Sequence, residues 1–191
     1  AAEVPSETLD VEAAVLAEVG AELVDLRGEP LDAIADELAA ADAILTEALG
    51  RERFDAARVA GLDRCRVISV YAVGADGVDA AAAAKRGIVV ANVPTYCTTD
   101  VAEHAVALLL AAWRALPRAE RVARSGDWSL EPLRPVRRLA GHTVGLVGFG
   151  RIAREVAGRL APFRVVLLAC DPAGDPGEAA RLGVRLVELD E

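Results

Sequence analysis

Histidine and cysteine are scarce in this sequence, and their scarcity restricts the chemistry that the chain can support. Its 191 residues contain two histidines and three cysteines. Two imidazoles are too few for a convincing zinc site, so no bound metal is expected. The cysteines, Cys65, Cys97 and Cys170, are odd in number and widely spaced, which argues for reduced thiols rather than a disulfide framework.

Long apolar runs and clustered positive charge are missing as well. The sequence has no run of eighteen apolar residues and no basic segment leading into an apolar one, so neither a membrane span nor a secretory leader is indicated. The net charge is −9, and the basic residues are interspersed with acids, which argues against a nucleic-acid-binding surface. The densest basic patch, Arg134–Gly141, is interpreted as a solvated loop. We therefore expect a soluble cytoplasmic protein with no nucleic-acid or membrane partner.

The first hundred residues alternate between short apolar runs and alanine-rich helical patterns. The apolar runs predict strands at Ala21–Gly28, Asp42–Leu49, Arg66–Gly74 and Gly87–Val93. The other segments predict helices at Leu9–Val19, Leu31–Ala40, Arg53–Gly61 and Asp79–Lys85. Such alternation predicts an α/β unit, with a parallel sheet covered by helices on both faces.

A long helical pattern then interrupts the alternation. It extends from Asp100 to about Arg124, with Asp100 predicted as the N-cap and Glu103 as its partner in a capping box. The segment Ser125–His142 that follows has no periodicity and predicts a loop. A second α/β unit is expected to begin after this loop.

The stretch VGLVGFGRIAREVAGRL, Val144–Leu160, predicts a strand, a tight glycine turn and a helix in direct succession. Gly148 suits a turn residue with positive φ, and Gly150 would let a pyrophosphate approach the backbone with no Cβ in the way. Ala153 completes a G-x-G-x-x-A pattern that permits close packing of the helix on the strand. An ordinary strand-to-helix corner of an α/β protein can carry the same pattern, so the motif alone leaves both interpretations open.

An acidic residue further along the chain favours a dinucleotide site. The apolar run Val165–Ala169 predicts a buried parallel strand, and Asp171 follows it, 21 positions after Gly150. This is the spacing of the carboxylate that accepts hydrogen bonds from the ribose hydroxyls of a dinucleotide. Because a carboxylate there repels a ribose 2′-phosphate, the pattern favours NAD over NADP. The alternative for Asp171 is an ordinary turn residue before Pro172.

Several motifs in a fixed order carry a resemblance to one family. The segment VISVYAVGADGVDAAAAAKRGIVVANVPTYCTTDVAEHAVALLL is followed by GHTVGLVGFGRIAREVAGRL and then by CDP. From about Leu9 onward, this order and spacing resemble the NAD-dependent D-isomer-specific 2-hydroxyacid dehydrogenases, which include phosphoglycerate dehydrogenases and C-terminal-binding-protein-like members. The resemblance implies a flavodoxin-like substrate domain at residues 1–97, without its first strand. It also implies the first half of a Rossmann-type NAD-binding domain at residues 98–191, so both domains are expected to be incomplete.

The resemblance further implies roles for individual residues. The backbone N–H groups of Val73 and Gly74 match the loop that holds the carboxylate of a 2-hydroxy acid, with a plain strand-to-helix turn as the alternative. Cys97 matches a position beside the nicotinamide, with a buried apolar thiol as the alternative. The other matched positions would bind the cofactor: Gly148, Gly150, Arg151 and Ile152 at the pyrophosphate, and Asp171 at the ribose.

The residues that perform the chemistry in this family have no match in the chain. The family's Arg, Glu and His are expected beyond Glu191, and His104 on the long helix is expected to serve packing or a subunit contact. Val70, Ala72 and Gly77 depart from common family residues around the substrate loop, so the identity of the acid stays open. The chain by itself is expected to be inactive.

The implied function is hydride transfer between NAD(H) and a small D-2-hydroxy acid or 2-oxo acid, in an enzyme expected to be a homodimer through the region of the long helix. A second hypothesis is a non-catalytic, NAD(H)-sensing scaffold of the corepressor type, which would keep the same fold and cofactor site. A third hypothesis is an inert truncation.

Overall fold

A computed structural model of the chain describes residues 8–47 and 53–190. The chain divides into two compact units, Ala1–Tyr96 and Cys97–Glu191. Each unit contains a parallel three-stranded sheet with helices in the connections. The α/β class expected from the alternating sequence patterns is confirmed.

Four helices and three strands form the described part of the first unit. The helices are α1 (Asp10–Glu18), α2 (Ala35–Ala40), α3 (Ala56–Ala60) and α4 (Ala80–Lys85). The strands are β1 (Ala43–Thr46), β2 (Val67–Val70) and β3 (Val89–Asn92), paired in parallel in the order β1-β2-β3. Each strand is shorter than the apolar run that predicts it, and the end of the run Asp42–Leu49 lies outside the described residues.

The central strand β2 anchors the core of the first unit. Its residues Ile68 and Val70 are fully buried and pack in one cluster with Val59 of α3 and Ala83 of α4. Burial of an aliphatic side chain of this size stabilises a fold by about 1.5–3 kcal/mol. Packing therefore fixes the position of the carboxyl end of β2. The Val73–Gly74 loop follows this end.

Helices α3 and α4 are each capped by an aspartate that precedes the first helical residue. The Asp55 carboxylate accepts a hydrogen bond from the backbone N–H of Arg58, and the Asp79 carboxylate accepts one from that of Ala82. These caps satisfy N–H groups for which a helix has no internal acceptor. The loop between β2 and α4 consequently ends at a well-defined residue, Asp79.

The strand predicted at Ala21–Gly28 is wrong, because these residues form no strand. The Asp25 carboxylate accepts hydrogen bonds from the backbone N–H and the guanidinium of Arg27. Gly28 has a φ of +87°, which belongs to a turn. Short-range side-chain bonds of this kind compete with a strand ladder, and Val24 is 62% exposed, so no apolar burial favours the strand.

Four helices and three strands also form the described part of the second unit. The helices are α5 (Thr98–Trp113), α6 (Leu116–Arg124), α7 (Arg151–Leu160) and α8 (Pro176–Arg181). The strands are β4 (Thr143–Val147), β5 (Val166–Cys170) and β6 (Val184–Leu186), paired in parallel in the order β4-β5-β6. The strand, helix and strand predicted around the glycine turn are confirmed as β4, α7 and β5. Helix α8 and strand β6 have no counterpart in the sequence patterns, because both are too short to show a periodicity.

The single helix predicted from Asp100 to Arg124 is wrong, because two helices occupy this region. Helix α5 ends at Trp113, Ala115 has a left-handed φ of 52°, and α6 begins at the next residue. Pro117 is the physical reason. Inside a helix a proline removes a backbone hydrogen bond and clashes with the carbonyl four residues earlier, whereas the first turn of a new helix tolerates it.

The start of α5 also differs from the prediction. Cys97 is the N-cap residue, and no side-chain hydrogen bond caps the helix. Asp100 is therefore not the N-cap, and the predicted capping box with Glu103 is not formed. Asp100 lies in the first turn instead, where its charge interacts favourably with the helix dipole. Glu103 forms an ion pair with Arg159 of α7 at 3.6 Å.

The segment between α6 and β4 is a loop, as predicted. It contains one short 3-10 turn, Glu131–Leu133. Within the basic patch Arg134–Gly141, every residue except Leu139 is exposed, which confirms a solvated loop.

Candidate functional site

The glycine turn of the second unit connects β4 to α7. Gly148 has a φ of +90°, a conformation that side chains disfavour, so a glycine is required there by the backbone. The side chain of Phe149 is 1% exposed and lies in the core of this unit, in the same cluster as Ala102 of α5 and Ala157 of α7. The turn is thus fixed to the core through its middle residue.

Gly150 is a glycine for a different reason. It is the N-cap of α7, with φ −74° and ψ −169°, an extended conformation that any residue can adopt. A Cβ built on Gly150 would have no heavy atom of the described residues within 4 Å. The protein's own packing therefore does not require glycine at this position, whereas the close approach of a phosphate group would.

Arg151 and Ile152 are the first two residues of α7. The N–H groups in the first turn of a helix have no acceptor inside the helix, and the helix dipole favours negative charge at this end. Helix α7 spans 10 residues, which is long enough for a substantial dipole. This end of α7 can bind an anion such as a pyrophosphate.

Asp171 follows β5 and contacts the glycine turn directly. Its Oδ2 accepts a hydrogen bond from the backbone N–H of Phe149 at 2.6 Å, and its Oδ1 accepts one from that of Ala173 at 2.8 Å. These two backbone hydrogen bonds, the one from Phe149 first, lower the pKa of the Asp171 carboxyl below its ordinary value. A carboxylate offers about four lone-pair positions, so Asp171 retains capacity to accept hydroxyl groups from a ligand.

Arg154 is a member of this site that the sequence analysis does not identify. Its Nε donates a hydrogen bond to the carbonyl oxygen of Phe149 at 3.0 Å, and its guanidinium carbon lies 5.7 Å from the centre of the Phe149 ring. Helical side chains point toward the N-terminus of their helix. An arginine four residues after Gly150 is therefore long enough to contact the turn. This spacing is the sequence signal that could have identified Arg154.

Cys97 lies in the second unit, at the N-cap of α5, and its thiol is partly buried. The structure joins the glycine turn and Asp171 by direct hydrogen bonds. In the described part of the chain no hydrogen bond connects the Cys97 thiol to them. A position beside the nicotinamide thus stays a prediction for Cys97.

Val73 and Gly74 lie in the first unit, in the loop from β2 to α4. Gly74 is exposed and its φ is not left-handed, so the turn itself does not demand glycine. A Cβ on Gly74 would lie 2.9 Å from Oδ2 of Asp76. Glycine therefore leaves room for a close neighbour at this point of the loop.

Asn92, at the end of β3, is a second residue that the sequence analysis does not identify. Its Nδ2 donates a hydrogen bond to the carbonyl oxygen of Val73 at 2.6 Å. The carboxyl ends of neighbouring parallel strands lie at the same edge of a sheet, which is where α/β proteins place ligand-binding groups. A polar residue near the end of the predicted strand Gly87–Val93 could thus have identified Asn92 as a candidate site residue.

The two histidines differ in their surroundings. His104 is exposed on α5. The ring of His142 meets that of Trp113 edge-on, with 4.9 Å between centroids, and its Nδ1 is buried without a hydrogen-bond partner among the described residues.

Residues 8–47 and 53–190 contain neither a metal-binding cluster nor a helix suited to cross a membrane. No group of three or more histidine, cysteine, aspartate or glutamate side chains is arranged to hold a metal ion. Within the same ranges, no helix combines the length and the apolarity needed to cross a membrane.

The chain matches a known protein family over most of its length. The model of the family described as D-isomer specific 2-hydroxyacid dehydrogenase, catalytic domain, matches residues 6–173. The chain is 40% identical over 151 residues to D-3-phosphoglycerate dehydrogenase of Mycobacterium tuberculosis, covering 79% of this chain and 28% of that protein. It is 37% identical over 152 residues to glyoxylate reductase of Korarchaeum cryptofilum, covering 78% of this chain and 44% of that protein.

A solved structure is similar over almost the whole chain. The NAD-dependent formate dehydrogenase from Staphylococcus aureus, in complex with NAD, superimposes with a TM-score of 0.80 at 31% identity. The match covers 95% of this chain and 54% of that one. The chain thus spans about half, or less, of the length of these relatives.

Proposed function

The chain belongs to the D-isomer specific 2-hydroxyacid dehydrogenases, and we propose that the protein that contains it is an oxidoreductase acting on a small D-2-hydroxy acid or 2-oxo acid with NAD(H). When bound, NAD would supply or accept the hydride. The observation that carries the proposal is the open space beside Gly150, at the end of a glycine turn that Asp171 holds. The chain's own residues would bind and orient the two reactants.

The second unit would hold the cofactor. Its pyrophosphate would lie at the N-terminus of α7, close to Gly150, where backbone N–H groups and the helix dipole favour an anion. Asp171 would accept the ribose hydroxyls at the lone pairs that Phe149 and Ala173 leave unused. These assignments extend the predictions for Gly148, Gly150, Arg151, Ile152 and Asp171, and Cys97 is proposed for the nicotinamide end.

Asp171 would also select the cofactor. Its carboxyl has a lowered pKa because two backbone N–H groups donate to it, so it is ionised at neutral pH. An ionised carboxylate disfavours a 2′-phosphate at the adjacent ribose, since like charges repel at short range. We therefore propose NAD rather than NADP. The solved relative from Staphylococcus aureus, whose structure contains NAD, supports this assignment.

The first unit would hold the acid. Backbone N–H groups at Val73 and Gly74 would bind its carboxylate, as backbone groups do in anion-binding loops. Val70, which stands where family members often carry a basic residue, is fully buried and offers no cation for a second anionic group. This favours a small acid with a single carboxylate, like the one that the name of the glyoxylate reductase indicates. It weighs against the phosphorylated acid in the name of the D-3-phosphoglycerate dehydrogenase, although that relative has the higher identity, 40% against 37%.

We propose an enzyme rather than a corepressor-like scaffold, because the relatives compared above are named as dehydrogenases and a reductase. Residues 1–97 would form the substrate domain and residues 98–191 part of the NAD-binding domain. A homodimer through the region of α5, α6 and the following loop is supported by exposed apolar side chains there: Leu116, Trp128 and Leu130 are 54%, 90% and 66% exposed. The three free thiols support a cytoplasmic location.

Titration of the full-length protein with NADH tests the cofactor site. Gly150→Ala introduces no strain and no clash in the folded chain, so its thermal midpoint should match that of the wild type. Its affinity for NADH should fall at least about tenfold, because the methyl group occupies the space of the ligand. Gly158→Ala, a glycine inside α7 with similarly open surroundings, is the matched control and should bind NADH normally.

Measurements of enzymatic turnover test the proposed dehydrogenase activity. The wild type should reduce at least one of glyoxylate, pyruvate and hydroxypyruvate with NADH, measured by nicotinamide absorbance. Unchanged NADH affinity in Gly150→Ala would refute the cofactor assignment. Absence of reduction with every 2-oxo acid would refute the dehydrogenase activity.

A further inference from the structure

Asn92 is the only asparagine of this chain, which contains no glutamine. It is the last residue of β3 and lies in register with Val70, the last residue of β2. From this position its side-chain amide reaches the loop that follows β2, and Nδ2 donates to the carbonyl oxygen of Val73 at 2.6 Å. The one side-chain amide of the sequence thus contacts the loop proposed to bind substrate.

The Val73–Gly74 loop is fixed by backbone hydrogen bonds on both sides of these two residues. On the β2 side, the N–H of Val93 donates to the carbonyl of Ala72 at 3.1 Å. On the α4 side, the N–H of Phe54 donates to the carbonyl of Gly77 at 2.8 Å. Between these points, the bond from Asn92 sets the orientation of the peptide that links Val73 to Gly74.

A trans peptide is planar, and its C=O and N–H groups point in opposite directions. Because Asn92 holds the carbonyl of Val73 on one side of the loop, the N–H of Gly74 is directed to the other side. This N–H donates to no acceptor among the described residues. It is a hydrogen-bond donor whose direction is fixed and which can donate to a ligand.

We propose that Asn92 is a positioning residue for substrate: by holding the Val73 carbonyl, it directs the Gly74 N–H at the carboxylate of the 2-hydroxy or 2-oxo acid. The inference rests on the proposed function, since it concerns the same substrate loop. Asn92 itself contacts the loop and not the ligand. Its loss should therefore weaken recognition of the acid and leave the cofactor site of the second unit intact.

Two substitutions of Asn92 in the full-length protein test this role. Asn92→Ala removes the donor, and Asn92→Asp replaces it with a group of the same shape that, when ionised, only accepts hydrogen bonds and repels the Val73 carbonyl. Val89→Thr, a near-isosteric change at a 61% exposed position of the same strand, is the control. The measurements are KM and kcat for glyoxylate, the dissociation constants of NADH and of oxamate, an unreactive 2-oxo acid analogue, and the thermal midpoint.

We expect both Asn92 variants to raise KM for glyoxylate and the dissociation constant of oxamate about tenfold, the effect of one misdirected hydrogen bond to a charged group. The dissociation constant of NADH should stay within twofold of the wild type, and Val89→Thr should match the wild type throughout. A purely structural role of Asn92 would instead lower the thermal midpoint and weaken NADH and oxamate binding together.

The outcomes separate the inference from the function on which it rests. Wild-type turnover of glyoxylate with unchanged KM and oxamate affinity in both Asn92 variants would overturn the positioning role and leave the function standing. Parallel loss of NADH and oxamate affinity would also overturn the positioning role. A wild-type protein that binds neither NADH nor oxamate would overturn both proposals.

Discussion

Oδ2 of Asp171 accepts a hydrogen bond from the backbone N–H of Phe149 at 2.6 Å. The acid at the end of β5 is therefore bonded to the middle residue of the glycine turn at the end of β4. Phe149 is in turn fixed by its buried ring and by the hydrogen bond from Arg154 to its carbonyl. The two parts of the proposed cofactor site, the turn and the acid, are consequently held in one arrangement by contacts within the chain.

Asp171→Asn should reduce the preference for NADH over NADPH. The amide keeps the shape of the side chain, removes the charge that repels a 2′-phosphate, and directs an N–H₂ group at the N–H of Phe149 or of Ala173. Affinity for NADH should fall, and the ratio of NADPH to NADH dissociation constants should decrease at least about tenfold. Titrations of the full-length protein with both nucleotides measure this ratio.

Asp175→Asn is the matched control for that experiment. The Asp175 carboxylate also accepts two backbone N–H groups, those of Gly177 and Glu178, at the N-cap of α8. Its substitution should leave the nucleotide preference unchanged. An equal affinity of the wild type for NADH and NADPH would contradict the proposed role of Asp171.

The lowered pKa of Asp171 also predicts a pH dependence of stability. A carboxyl whose pKa is lower in the folded state stabilises the fold at pH values above its ordinary pKa, about 4. That contribution is lost as the pH falls through the folded-state pKa. Between pH 7 and pH 3, Asp171→Asn should therefore lose less unfolding free energy than the wild type, as measured by urea denaturation. Identical acid dependence of the two proteins would show that the two backbone hydrogen bonds of Asp171 are not formed.

Gly148→Ala should destabilise the fold. At a φ of +90° a side chain introduces backbone strain of about 1–3 kcal/mol, which should appear as a lower thermal midpoint and weaker NADH binding. Gly183→Ala provides the comparison, because Gly183 has a φ of +67° and similarly open surroundings but lies after α8. It should lose stability and keep its NADH affinity. A thermal midpoint of Gly148→Ala equal to that of the wild type would show that the turn does not need the left-handed conformation.

Trp128→Glu should dissociate the proposed homodimer. Trp128 is 90% exposed in a loop whose neighbours include other exposed apolar side chains, and a buried, unpaired carboxylate at an interface is strongly unfavourable. Sedimentation equilibrium at micromolar concentration should show a dimer for the wild type and a monomer for the variant. Val19→Glu, at a 78% exposed apolar position of the first unit, should stay dimeric. A monomeric wild type would refute the dimer.

Local sequence patterns predicted those strands and helices whose conformation depends on residues close to them in the chain. The apolar runs predicted β1, β2, β3, β4 and β5, because strands of parallel sheets are rich in apolar residues, although β3 and β4 contain no buried residue. The same reasoning failed at Ala21–Gly28, which has an apolar pattern but no burial to favour a strand. It also failed at Pro117, where one residue divided a pattern that looked like a single helix.

The sequence by itself determined the α/β class, the family and the position of the glycine turn with its acid, because these depend on periodicity and on spacing along the chain. Only the tertiary structure decided which residues meet across the fold. Asp171 and Phe149 are 22 positions apart and Asn92 and Val73 are 19 apart, and each pair meets at the carboxyl edge of a parallel sheet. Strand register sets those contacts, and register follows from the packing of whole strands and helices, which no local pattern contains.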